Sequence, residues 1–171
     1  AELSRSHETF VNHYRNEYQL SFPPIWALCE VMSFGALSRG YEMLASGAIQ
    51  KDVADTYSVP VPLLKSALHH LTYVRNLCAH HCRLWNRRFT ITLTTPRSKP
   101  QELAGSVVTS SNRAPERRLY NTLCLLRHFM REIDPDAGWH QEIPDHLDQL
   151  SPSELIETGT PTNWKARPIW A

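Results

Sequence analysis

The chain has 171 residues, one domain's worth, and 42% of them are hydrophobic, which is enough to form a core. With 18 Lys and Arg against 17 Asp and Glu, and only 20% charged residues in all, it is neither a disordered polyelectrolyte nor a globally basic nucleic-acid coat. No apolar run reaches the ~18 residues that would span a bilayer, and Ala1-Glu2-Leu3-Ser4 has no basic-then-apolar signal pattern, so a cytoplasmic protein with no membrane partner is expected.

Helical periodicity dominates. Leu3, Phe10, Tyr14 and Tyr18 recur at helical spacing and predict a helix over residues 4–20, stopped by Phe22-Pro23-Pro24. A second helix is predicted over residues 25–39, with Ile25, Cys29, Met32 and Ala36 as its apolar stripe and Pro24 near its first turn. A short amphipathic turn follows at residues 49–57. Ser58-Val59-Pro60-Val61-Pro62 is a rigid lead-in, and no Gly or Pro then interrupts the chain before Asn86, which predicts one long helix. Its expected buried stripe is Leu64, Leu68, Leu71, Cys78, Cys82 and Trp85.

Residues 89–94 alternate with period two and suit a half-exposed strand, for which residues 106–110 are the local candidate partner. Residues 96–112 read as a loop. A further helix over residues 115–133 carries Leu119, Leu123, Leu126 and Met130 on one stripe, and Asp134-Pro135-Asp136-Ala137-Gly138 ends it. Ser151-Pro152-Ser153-Glu154 has the N-cap, N1 proline and N3 glutamate of a capping box, and Trp164, Ile169 and Trp170 are expected to dock on the rest. The fold class is all-α, with one short β-hairpin at most. Cys29, Cys78, Cys82 and Cys124 are too unevenly spaced for a disulfide scaffold and read as buried thiols in a reducing compartment.

Charge is unevenly distributed. Residues 56–101 contain no Asp or Glu, while Lys65, Arg75, Arg83, Arg87, Arg88, Arg97 and Lys99 lie within them. Residues 132–164 invert the pattern, with Glu132, Asp134, Asp136, Glu142, Asp145, Asp148, Glu154 and Glu157 and no Lys or Arg. An anion would be drawn to the middle of the chain, unless that basic middle packs against the acidic tail.

The segment from Val74 to Arg87 concentrates the chemistry. At about 100° per helical residue, Asn76, His80, Arg83 and Arg87 fall on one stripe, which Arg75 flanks by one step. An imidazole beside guanidinium forks suits a phosphodiester: one moves a proton near neutral pH, the others hold the phosphate and stabilise its transition-state charge. A plainly solvated cationic face is the bland alternative. Cys78, His81 and Cys82 at i, i+3 and i+4 resemble a zinc set but lack a fourth ligand, so no metal and no cofactor is expected. Cys–His nucleophilic catalysis is disfavoured by the apolar setting of both thiols, since burial raises a thiol's pKa.

Arg75-Asn76-x-x-Ala79-His80-His81-x-Arg83-Leu84-Trp85-Asn86-Arg87 resembles the signature of the Abi-like, abortive-infection proteins of bacteria, within the HEPN superfamily of ribonucleases. Pro23-Pro24-Ile25-Trp26 with Glu30-Val31-Met32-Ser33-Phe34-Gly35-Ala36-Leu37-Ser38-Arg39 is a second matching stretch. Phe10, His13, Tyr14 and Tyr18 are a third. The resemblance covers residues 4–133 and implies a HEPN-like helical bundle acting as a metal-independent endoribonuclease. In such enzymes an Arg and a His from each of two protomers meet in a composite site, and RNA is cleaved by its own 2′-hydroxyl.

Carried over, Arg75 would bind the phosphate, His80 would be the general acid or base, and Asn76 would position the site. Arg83 and Arg87 would hold substrate. Glu30 matches a polar residue on a neighbouring helix, and His81 is the second choice for the acid–base role. RNA and a second copy of the chain are the expected partners, with room for a neutralising RNA or protein. Family members carry helices before the first matching stretch, and this chain has no initiator Met. The expectation is therefore the C-terminal part of a longer protein, with residues 1–133 as the helical domain and residues 134–171 as an acidic tail packed on it. A non-catalytic RNA-binding module and a protein-interaction domain are the competing functions.

Overall fold

A computed structural model describes residues 8–109 and 116–171, and within them the architecture is all-α, with no sheet. The chain divides into two compact units, Ala1–Met43 and Leu44–Ala171.

The first unit contains α1 (Thr9–Asn16), α2 (Ile25–Val31) and α3 (Phe34–Glu42). Of the helix predicted over residues 4–20, residues 4–7 lie outside the described residues, and α1 stops at Asn16. The helix predicted over residues 25–39 is two helices. Met32 is extended, and the Ser33 hydroxyl accepts a hydrogen bond from the Ala36 amide at 3.2 Å, which starts α3 afresh. Val11, Ala27, Ser38 and Tyr41 are buried in this unit.

The second unit contains α4 (Gly47–Asp55), α5 (Val61–Ala79), α6 (Gln101–Ser106), α7 (Leu119–Ile133), α8 (Trp139–Asp148) and α9 (Pro152–Thr158), then a 3-10 turn at Trp164–Ala166. Pro62 sits in the first turn of α5, where its missing N–H costs nothing. The buried stripe of α5 is Leu63, Leu64, Ala67, His70, Val74 and Leu77, at three- and four-residue steps. Of the expected stripe only Leu64 belongs to it. Leu68 and Leu71 are half-buried, while Cys78 and Cys82 are exposed, so the expectation of four buried thiols holds only for Cys124.

His70 takes the core position that periodicity assigns to leucine because both ring nitrogens find partners. Nδ1 lies 2.7 Å from the Ile91 carbonyl and Nε2 lies 2.8 Å from the Thr122 hydroxyl, which ties α5 to α7.

Residues 89–94 keep their alternation but form no strand. Phe89 and Leu93 are buried and Thr90 and Thr94 exposed. The backbone hydrogen bonds go elsewhere: Phe89 exchanges bonds with Arg117, and the Thr94 amide donates to the Ser66 hydroxyl at 2.7 Å. The expected partner segment is likewise taken. Residues 101–106 are α6, and both backbone groups of Val108 bond to the Asn121 carboxamide, at 2.7 and 2.9 Å.

Helix α7 is buried along most of its length, with Tyr120, Asn121, Thr122, Cys124, Leu125, Arg127, His128 and Phe129 all enclosed. Burial pushes the Cys124 thiol up to about 12. The capping box at Ser151 and Glu154 forms as expected and starts α9. Trp164, Ile169 and Trp170 dock: Trp170 Nε1 donates to the Tyr120 hydroxyl at 2.9 Å, and the Arg127 guanidinium lies over the Trp170 ring at 5.3 Å.

Candidate phosphate-binding site at the end of α5

Arg75 and Asn76 lie on the last turns of α5, both exposed. The helix predicted to continue to Asn86 ends at Ala79. His81 adopts a left-handed backbone with φ 51°. Its amide donates to the Cys78 carbonyl at 3.0 Å, and the Cys82 amide donates to the Leu77 carbonyl at 2.8 Å. This pair of bonds is a Schellman cap, usually built on glycine. Here histidine, which enters the left-handed region more readily than most side chains, occupies the position.

The cap dissolves the single stripe predicted for Asn76, His80, Arg83 and Arg87. Asn76 and His80 stay together, because the His80 amide donates to the Asn76 carbonyl at 3.0 Å. An Arg75 guanidinium nitrogen donates to the Asn76 side-chain oxygen at 3.2 Å, so Asn76 is bonded to both neighbours. His80 is the C-cap residue and is exposed, as is His81. Arg83 lies beyond the helix and is exposed; Arg87 is half-buried after a turn in which its amide donates to the Leu84 carbonyl. Glu30 is exposed on α2 of the first unit.

Two supports are not apparent from the sequence. The indole of Trp85 donates to a Glu157 carboxylate oxygen at 2.6 Å, which fixes the segment after the cap to α9. Tyr73 lies against Thr90 and Arg87, and hydrogen bonds, first with the Thr90 hydroxyl and then with the Arg87 guanidinium, lower its phenol below the ordinary value. Helical periodicity carries no signal for either, since the partners are remote in sequence or lie outside the helix. Leu84 packs with Leu119 against Val74, Leu77 and Phe89, so the turn rests on a local apolar cluster.

The ion pairs among the described residues are Lys51–Asp55, Arg131–Glu102 and Lys165–Asp148. None joins the basic residues of 56–101 to the acidic segment of 132–164, so Arg75, Arg83, Arg88 and Arg97 keep exposed charge for an external anion. No group of three or more His, Cys, Asp or Glu among the described residues converges in metal-binding geometry, and Cys78, His81 and Cys82 do not form such a set. No described helix is long and apolar enough to cross a membrane.

No curated protein and no solved structure matches the chain. A family model described as Abi-like protein matches residues 1–86, a span that takes in Arg75, Asn76, His80, His81 and Arg83 and ends one residue short of Arg87. With half of its length matched, including the capped end of α5, the chain belongs to the Abi-like protein family.

Proposed function

We propose that this Abi-like protein is a metal-independent endoribonuclease whose reacting groups lie at the C-terminal end of α5. Family membership implies a role in abortive-infection defence, and RNA cleavage in the cytoplasm is the chemistry that fits the residues present. In the reaction a base removes the proton of a ribose 2′-hydroxyl, and the freed oxygen attacks the adjacent phosphorus. The bond to the 5′-oxygen breaks, and an acid returns a proton to that oxygen. The products are a cyclic phosphate and a 5′-hydroxyl end. His80 takes the acid–base role, and a second copy of the chain supplies the complementary imidazole. Arg75 holds the phosphate with its guanidinium fork, and Arg83 and Arg87 hold the flanking strand. Asn76, bonded to the side chain of Arg75 and the backbone of His80, keeps the two in register.

The observation that carries this reading is the exposed set of Arg75, Asn76, His80 and His81 at the end and cap of α5, with exposed Arg83 just beyond the helix. No ion pair among the described residues engages any of them. Arg75→Ala and His80→Ala should each lower cleavage by about 100-fold or more, the usual worth of a positioned acid–base group, assayed on RNA without added metal. Unchanged cleavage in both variants removes the reading. The same cations suit a non-catalytic RNA-binding module, and tight binding by the wild-type chain with no cleavage of any RNA favours that second reading. Glu30→Gln on the same substrates extends the series to the first unit.

A further inference from the structure

The segment after the α5 cap runs back along the helix. Phe89 packs on Val74 and Leu77, the Ile91 carbonyl meets His70, the Thr94 amide meets Ser66, and residues 94–97 reach Leu63. Between His80 and Leu63 lies about 26 Å of helix at ~1.5 Å per residue. Along that length the segment presents Arg88, Thr94, Arg97 and Lys99 to solvent, with no acidic residue anywhere in 56–101. Hydroxyl and guanidinium donors of this kind are the usual partners of phosphate oxygens.

At the far end the segment borders an open groove of about 740 Å³, lined by Thr92, Thr95, Arg97, Ala104 and Val107 among others. A second groove of about 540 Å³ lies on the side of Leu63, and Thr95 and Arg97 line both. The Thr95 hydroxyl is buried beneath the grooves and has no hydrogen-bond partner among the described residues. The nearest acidic neighbour in sequence, Glu102, is paired with Arg131 at 2.8 Å. The first groove is therefore cationic and threonine-lined, the second is walled mostly by Pro60, Pro62, Leu63 and Pro96 with Arg97 and Lys99 at its edge, and each is large enough for a nucleotide, within the size range of ligand sites in general.

We propose that the grooves around Arg97 seat an unpaired nucleotide of the substrate strand, whose phosphates follow the segment from Arg88 to Arg97 back toward His80. The substrate class is then single-stranded RNA, with a footprint near the lower end of the ~4–16 nucleotides typical of single-strand sites. A duplex cannot place a splayed base in the groove. Where the strand is cut rests on the ribonuclease reading; that the groove binds it does not.

The test is fluorescence anisotropy with a labelled ten-nucleotide RNA carrying 2′-O-methyl groups throughout, which cannot be cleaved by its own hydroxyl. Arg97→Ala with Lys99→Ala should weaken binding about tenfold or more. The slope of log affinity against log salt should fall by about 0.7 for each phosphate that the variant no longer neutralises. Arg97→Lys should keep the slope. Wild-type protein should bind the matched duplex more weakly, and removing Arg97 and Lys99 should leave that residual binding unaltered. Thermal melts confirm that each variant is folded. Unchanged single-strand affinity in the double variant, a preference for duplex, or no binding at all overturns the groove assignment. Groove-dependent binding of the methylated strand without cleavage of an unmodified one overturns the ribonuclease reading instead. Cleavage with normal KM in the double variant does the reverse.

Discussion

His70 sits between the Ile91 carbonyl and the Thr122 hydroxyl, and its burial lowers the imidazole below its ordinary value of 6.5, against the raising effect of the Ile91 bond. A histidine held neutral in the fold and free to protonate when unfolded makes stability depend on acid. The contribution is intact above the unfolded value, declines as pH falls through 6.5, and levels off once the folded value is passed. The melting temperature should therefore fall between pH 7.5 and pH 5.5, and His70→Gln should flatten that decline even while lowering stability at pH 7.5. An unchanged slope in the variant would assign the acid sensitivity to other histidines. The sequence does not disclose this residue's place, because Thr122 is 52 positions away and nothing local announces the bond. Asn76, by contrast, is legible, since its partners are its helical neighbours Arg75 and His80.

At the scale of elements, starts are easier to read than ends. Ser151 and Glu154 carry their cap in the sequence, and the cap is there. The end of α5 departs from the expected place because left-handed caps announce themselves by glycine, and here histidine stands in that position with φ 51°. A left-handed backbone costs a residue with a Cβ about 1–2 kcal/mol, partly offset by the greater unfolded freedom of glycine, so His81→Gly should raise stability by about 0.5–1 kcal/mol. His81→Val should lower it, because β-branched side chains tolerate that region poorly. Urea unfolding of the two variants checks the order; the opposite order would mean that the cap is absent in solution. Cleavage lost in His81→Gly but kept in His80→Ala would move the acid–base role to His81. The period-two pattern of residues 89–94 is sound as alternation and misleading as a strand. Alternation reports which side faces the core, and here the core partner is α5 rather than another strand.

Across the second unit, the C-terminal segment completes the core. Ile169 is fully buried, its amide donates to the Ser106 hydroxyl at 2.8 Å, and Arg167 donates to the Ser106 carbonyl at 2.7 Å, so the tail closes over α6 and α7. Trp170→Ala should cost about 3–5 kcal/mol and Leu64→Ala about 2–5, both as cavities in a packed interior. His80→Ala, at an exposed cap, should stay within about 1 kcal/mol. Thermal melts of the three separate core from site, and an early melt for His80→Ala would make it a structural residue. The aromatic residues of the tail make its docking legible, whereas α6 is hidden in a stretch that reads as loop from its Pro, Ser and Gly content. The depth of α7 also bears on the chemistry of Cys124. Only thiolates alkylate at useful rates, so the buried Cys124, pushed up to about 12, should stay silent while its three exposed counterparts, Cys29, Cys78 and Cys82, are open to iodoacetamide. In the folded protein those three thiols should be consumed first. The slow arrival of the fourth then acts as a built-in clock for the opening of α7, readable by mass without any label.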